Sequence, residues 1–93
     1  MYNQNDFLRL RSELLFKYGT TKVKPEDCNK ISIAIFLEGG NYISERSIKR
    51  FLGLIPDADN LPTVVLDMLS SYVGHVNWET FILKHIEDDG IAH

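Results

Sequence analysis

Large apolar residues recur at helical spacing along most of this chain. Phe7, Leu10, Leu14 and Tyr18, joined by Leu8 and Leu15, predict a first helix from about Asn5 or Asp6 to Tyr18, closed by Gly19. Glu13 and Lys17 stand i, i+4 within it in the favourable orientation. Thr20 to Lys24 reads as a linker. Pro25-Glu26-Asp27 then signals a helix start, with proline tolerated at the first position and carboxylates near the positive end of the dipole. The stretch from Cys28 to Glu38 carries two periods at once. Ile31-Ser32-Ile33-Ala34-Ile35 alternates like a strand, whereas Cys28, Ile31 and Ile35 recur like a helix. The signalled start and the Gly39-Gly40 stop favour a helix, apolar on most sides and therefore central in the bundle. The other reading is a β-hairpin turning at Gly40-Asn41, which implies a winged or mixed fold.

The stretch from Tyr42 to Leu54 organises the rest. Ser44 is an N-cap, Ile48, Phe51 and Leu52 form one apolar stripe, and Gly53 supplies the stop. Glu45, Arg46, Lys49 and Arg50 are left on the opposite side. Ile55 to Asn60 is a loop; its two aspartates lack the ligand count and the downstream glutamate of a calcium site. A fourth helix is predicted from Pro62 to Gly74, with Leu66, Leu69 and Val73 on one face and Val65, Met68 and Tyr72 beside it. Asn77 caps a fifth, where Trp78, Phe81, Ile82 and His85 follow the helical rule, and residues 87–93 are expected to fray into an acidic tail. The expected architecture is all-α, a compact bundle of five short helices in a single domain, 1–93, with a helix-turn-helix at about 25–54. Its expected core includes Ile31, Ile35, Ile48, Phe51, Leu52, Leu66, Leu69, Trp78 and Phe81.

Composition narrows this only in part. The 44% hydrophobic and 25% charged content belongs to a globular domain rather than a disordered one. The longest apolar run, Ile33 to Leu37, is far short of a membrane span, and the polar N-terminus predicts no secretory signal. Cys28 is the sole cysteine, so no internal disulfide forms; a reducing, cytoplasmic setting is the expectation. Charge is split along the chain: residues 1–50 carry nine Lys/Arg against six Asp/Glu, and residues 51–93 carry one against seven. The positive half suits a phosphate backbone as well as it suits plain solvated surface.

Enzyme signatures are absent from the sequence. There is no phosphate-cradling glycine loop, nucleophile elbow or Cys/His pair at metal spacing, so neither catalysis nor a metal or other cofactor is expected. Cys28 reads as a small buried hydrophobe, and His75 and His85 as structural residues. Trp78 reads as a core anchor, since its spacing with Phe81 and Ile82 accounts for it. The helix at Ser44–Leu52 offers three cations and a carboxylate outward, as a major-groove reading helix does; an ordinary solvated helix carries the same charges, with Glu45 and Lys49 paired across one turn.

The run Ser44-x-x-Ser47-Ile48-x-Arg50-Phe51, followed by Pro62-x-x-x-Leu66-x-x-Leu69-x-x-Tyr72-x-Gly74, resembles the second half of the Cro/phage-repressor (XRE-type) helix-turn-helix domains. It is more similar still to a recurrent, largely uncharacterised bacterial segment. That segment has the pattern Ser-x-x-Thr-Leu-Lys-Arg-(Phe/Trp)-x-Gly, then Leu-Asp-x-Leu-x-x-Tyr-x-Gly and Trp-x-x-Phe. This chain matches it with Ser44, Ser47, Ile48, Lys49, Arg50, Phe51 and Gly53, then Leu66, Asp67, Leu69, Tyr72, Gly74, Trp78 and Phe81. The likeness spans roughly Pro25 to Ile82, and such segments often begin longer proteins.

The resemblance implies binding to double-stranded DNA within a transcriptional regulator, as a homodimer on a symmetric site, with Glu45, Arg46 and Arg50 at base edges and Lys49 and Lys30 near phosphates. The chain departs from those families in a longer turn, Gly39 to Ile43, and in Glu26-Asp27 where phosphate-binding side chains are expected. Those carboxylates and the acidic pI of 5.5 fit the alternative, a protein-interaction or adaptor module. A further alternative is an N-terminal accessory domain of a larger bacterial protein.

Overall fold

A computed structural model of the protein describes residues 4–91, with side chains as far as Lys84. The order is α1 (Gln4–Tyr18), α2 (Asp27–Gly39), α3 (Glu45–Phe51), a 3-10 turn (Ala58–Asn60), α4 (Thr63–Tyr72) and α5 (Trp78–Ile91). No strand occurs among the described residues, so the chain is all-α and the hairpin alternative at Gly40-Asn41 is excluded. α2 packs on α3, α4 on α5, and α4 also meets α1 and α2. None of these helices is long and apolar enough to cross a membrane.

Local chemistry accounts for the helix ends. Ser44 Oγ accepts the Ser47 amide at 3.1 Å and opens α3, and Asn77 Oδ1 accepts the Thr80 amide at 2.8 Å at the head of α5. Asp67 Oδ1 adds a second tie there, taking the Trp78 amide at 2.9 Å. α2 stops where Gly40, at φ 75°, turns left-handed and returns its amide to Phe36 O. Pro25 stands not at the first helical position but two residues before it, in a turn closed by Asp27 N to Lys24 O at 2.9 Å; α2 begins only at Asp27. The loop after α3 contains the 3-10 turn, and the backbone of α5 stays helical past residue 87, where fraying was expected. Once the first turns of α5 are docked, adding a hydrogen bond per residue carries a helix onward at little cost. Residues 92–93, and the side chain of His85, lie outside the described residues.

The core is one cluster. Phe7, Leu10 and Leu14 of α1 meet Cys28, Ile31 and Ile35 of α2, and Ile48, Phe51 and Leu52 close over them. Leu66, Leu69, Trp78 and Phe81 complete it from α4 and α5. An aromatic relay crosses the cluster: Phe51 lies 5.0 Å from Phe7, Phe7 is edge-on to Trp78 at 6.3 Å, and Trp78 stacks on Phe81 at 5.7 Å. Each such contact adds to the area term, so the relay ties α3 through Phe51 to α1 and α5.

Three features differ from expectation. α2 is not enclosed on all sides: Ile33, Phe36 and Leu37 are 50%, 52% and 78% exposed. Residues two apart on a helix point roughly 200° apart, so the alternation of Ile31, Ile33 and Ile35 sends Ile33 outward while its neighbours go in. Lys17 leaves Glu13 for Glu38 Oε2 at 2.8 Å, donates to Tyr72 O and sits 4.2 Å from the Tyr72 ring centre. The ammonium gains a carboxylate, a carbonyl at the negative end of α4 and an aromatic face in place of one exposed pair. Glu13 turns instead to Arg9 at 3.6 Å and His75 at 3.3 Å. Leu8, expected with the α1 stripe, is 43% exposed.

Ser70 Oγ is fully buried on α4 and has no hydrogen-bond partner among the described residues. A buried hydroxyl without a partner carries a desolvation penalty of about 1–3 kcal/mol that an apolar side chain avoids. Ser70→Ala is therefore expected to stabilise the domain by about 1 kcal/mol, read as a rise in the urea midpoint at unchanged slope.

Candidate nucleic-acid interface

The α2–α3 pair is a helix, a five-residue turn and a second helix, and the turn is held rather than free. Ile43 in the middle of it is buried, and Ser32 on α2 donates its hydroxyl to Ile43 O. The extra length relative to a three- or four-residue turn is thus anchored to the preceding helix. Neither Ser32 nor Ile43 stands out in the sequence, because the signal of each is its distance from the other in the fold.

With Ile48 and Phe51 fully buried, the remaining side chains of α3 are aimed outward. Arg46 is exposed and Arg50 half-buried, one helical turn apart on the same side. Among the described residues neither has an ion-pair partner. Glu45 and Lys49 do: Oε2 and Nζ are 3.0 Å apart, closing the i, i+4 pair. Lys30 is exposed on α2 and likewise unpaired among the described residues. Among the described residues, the five implied by the resemblance therefore divide into two arginines and a lysine without an ion-pair partner and a closed pair.

Asp27, the carboxylate expected to oppose a phosphate, is engaged within the chain. Oδ2 accepts the Lys24 amide at 2.9 Å and Oδ1 accepts the Tyr18 hydroxyl at 3.4 Å. Burial raises the Tyr18 phenol above its ordinary pKa, and the Asp27 charge adds to that. Glu26 remains exposed. Burial also raises the Cys28 thiol, away from the thiolate a nucleophile needs. No cluster of three or more His, Cys, Asp or Glu able to hold a metal ion occurs among the described residues. His75 bridges α1 to the core, its ring edge-on to Phe81 at 4.9 Å.

Arg11 enters from α1. Its Nε donates to Phe51 O, the last carbonyl of α3, at 3.1 Å. Sequence periodicity places Arg11 only on the polar side of the first helix, and a contact 40 residues away leaves no local trace.

Comparison with family models, with curated proteins and with solved structures finds no match to this chain.

Proposed function

We propose that this domain binds double-stranded DNA without catalysis, as the reading module of a bacterial transcriptional regulator acting in the cytoplasm, and that α3 is the reading helix. The observation that carries this reading is the pair of guanidiniums, Arg46 and Arg50, without an ion-pair partner among the described residues, on a helix whose opposite face is locked in the core. Four residues of helix rise about 6 Å, close to two base-pair steps at 3.4 Å each. Each arginine can take a guanine edge through O6 and N7, worth about 1–3 kcal/mol of discrimination. Lys30, together with the positive balance of residues 1–50, supplies the phosphate term. A pair of domains on a symmetric site is the expected stoichiometry. Selection from random duplex DNA at physiological salt tests this: a guanine-containing consensus supports it, and no enrichment rejects it.

Glu45 restrains the same helix. Its carboxylate occupies Lys49 and is itself repelled by phosphates. Glu45→Gln is expected to tighten duplex binding at low salt and to steepen the log K against log salt slope by about 0.9, one more phosphate contact. An anisotropy titration at several salt concentrations measures both.

The apolar ridge on α2 favours a second reading. Ile33, Phe36 and Leu37 form a contiguous exposed patch of the kind that marks protein contact surfaces. A protein-interaction module using this ridge retains its partner after nuclease treatment and in high salt, and loses it on Leu37→Lys.

A further inference from the structure

We propose that Arg11 is the positioning residue of α3: a guanidinium contributed by α1 that completes the C-terminal cap of the helix and so sets the stance of its outward face. The inference follows from the fate of the last four carbonyls of α3, which no residue within the helix can satisfy. Leu52 N donates to Ile48 O at 2.9 Å, Leu54 N to Lys49 O at 2.9 Å, and Gly53 N to Arg50 O at 3.1 Å. The last two bonds, with Gly53 left-handed at φ 77°, are those of a Schellman cap. Phe51 O is the one carbonyl this cap leaves over, and Arg11 Nε supplies its donor.

The fit extends beyond a single hydrogen bond. A Cβ built on Gly53 would stand 3.5 Å from both Nη1 and Nη2 of Arg11 and 3.7 Å from Cζ, so the guanidinium lies against the bare backbone of the glycine. Glycine at 53 thus serves the left-handed turn, and the guanidinium packs beside it at ordinary van der Waals distance. The cation stands at the negative end of the α3 dipole, where a positive charge is favoured. Burial lowers its pKa, a sign of water withdrawn from the group, yet no carboxylate pairs with it among the described residues. Its partners are the helix end and the glycine. A helix of seven residues has little internal cooperativity, so its stance depends on such outside ties more than that of a long helix does.

The test compares Arg11→Met, which keeps an apolar stem and removes the donors and the charge, with Arg11→Lys. Amide hydrogen exchange reads the cap directly, without reference to any ligand. In Arg11→Met the amides of Leu52, Gly53 and Leu54 are expected to exchange about 10–100-fold faster, the equivalent of one hydrogen bond to a charged group. Those of Leu66 and Leu69 on α4 are expected to stay within about twofold, showing that the rest of the fold is intact. Arg11→Lys is expected to restore protection only in part, because a point-like ammonium cannot lie flat on Gly53 while donating to Phe51 O. Unchanged exchange at 52–54, or an equal rise across α3 and α4, overturns the proposal. Its bearing on DNA rests on the reading above, and the two failures are separable. Faster exchange at 52–54 with unchanged duplex affinity leaves Arg11 in its role and counts against α3 as the reading helix.

Discussion

Phe51→Ala is expected to destabilise the domain by about 3–5 kcal/mol, enough to leave a large unfolded fraction at room temperature. Small domains hold only about 5–15 kcal/mol in total, and a chain of this length sits at the lower end. The loss is large because Phe51 does three things at once. Its ring is fully buried, it touches Phe7 at 5.0 Å, and through Phe7 it joins the aromatic relay to Trp78 and Phe81. Truncation leaves a cavity where α3 meets α1, and a seven-residue helix cannot refill it without shifting as a body. Urea unfolding followed by circular dichroism measures the change; a loss below about 1 kcal/mol contradicts the inward placement of Phe51.

The second large effect concerns binding. Arg46→Ala combined with Arg50→Ala is expected to remove about 2–6 kcal/mol of sequence discrimination, the sum of two guanine contacts, and so to abolish selective binding. The same double variant is expected to melt within a few degrees of the wild type. Neither side chain has an ion-pair partner among the described residues, and surface substitutions of this kind rarely exceed about 0.5 kcal/mol each. Stability and binding thus separate on adjacent residues of one helix, with Phe51 governing the first and Arg46 and Arg50 the second.

Much of this architecture is written locally in the chain. Ser44 and Asn77 accept the amides that their cap positions imply, and glycines at 40 and 53 turn left-handed where the apolar periodicity runs out. Such features need only their immediate neighbours, so they survive reading one stretch at a time. The face of α2 was harder to place. Ile33, Phe36 and Leu37 are as apolar as Ile31 and Ile35, and only the packing of α3 and α4 on one side of the helix decides which set meets solvent. Ile43 and Leu61 show the converse, buried residues in connecting segments with no period to reveal them. Lys17 has a good partner four residues away in Glu13, yet Glu38 and Tyr72, brought near by folding, hold it instead.

The candidate interface divides in the same way. The outward side of α3 follows from the spacing of Ile48, Phe51 and Leu52. Closure of Glu45 onto Lys49 is the ordinary pairing of a solvated helix, and it was legible as such. The lack of an ion-pair partner for Arg46 and Arg50 among the described residues was not, since it depends on where folding takes the other carboxylates. Asp27 illustrates this: by sequence it is a charge that opposes DNA, whereas in the fold it accepts from Lys24 and Tyr18. Arg11 was the least legible of all, an arginine on a polar face whose partner is a backbone carbonyl.

The most direct measurement is an anisotropy titration of the selected duplex with the wild type and with the Arg46→Ala, Arg50→Ala double variant, at salt from about 50 to 200 mM. The wild type is expected to bind with a linear log K against log salt dependence. The double variant is expected to bind more weakly at every salt concentration and to show no preference over a scrambled duplex, with a slope little changed because guanine-edge contacts neutralise no phosphate. Equal affinity and equal preference over the scrambled duplex for the two proteins would contradict the assignment of α3 as a DNA-reading helix.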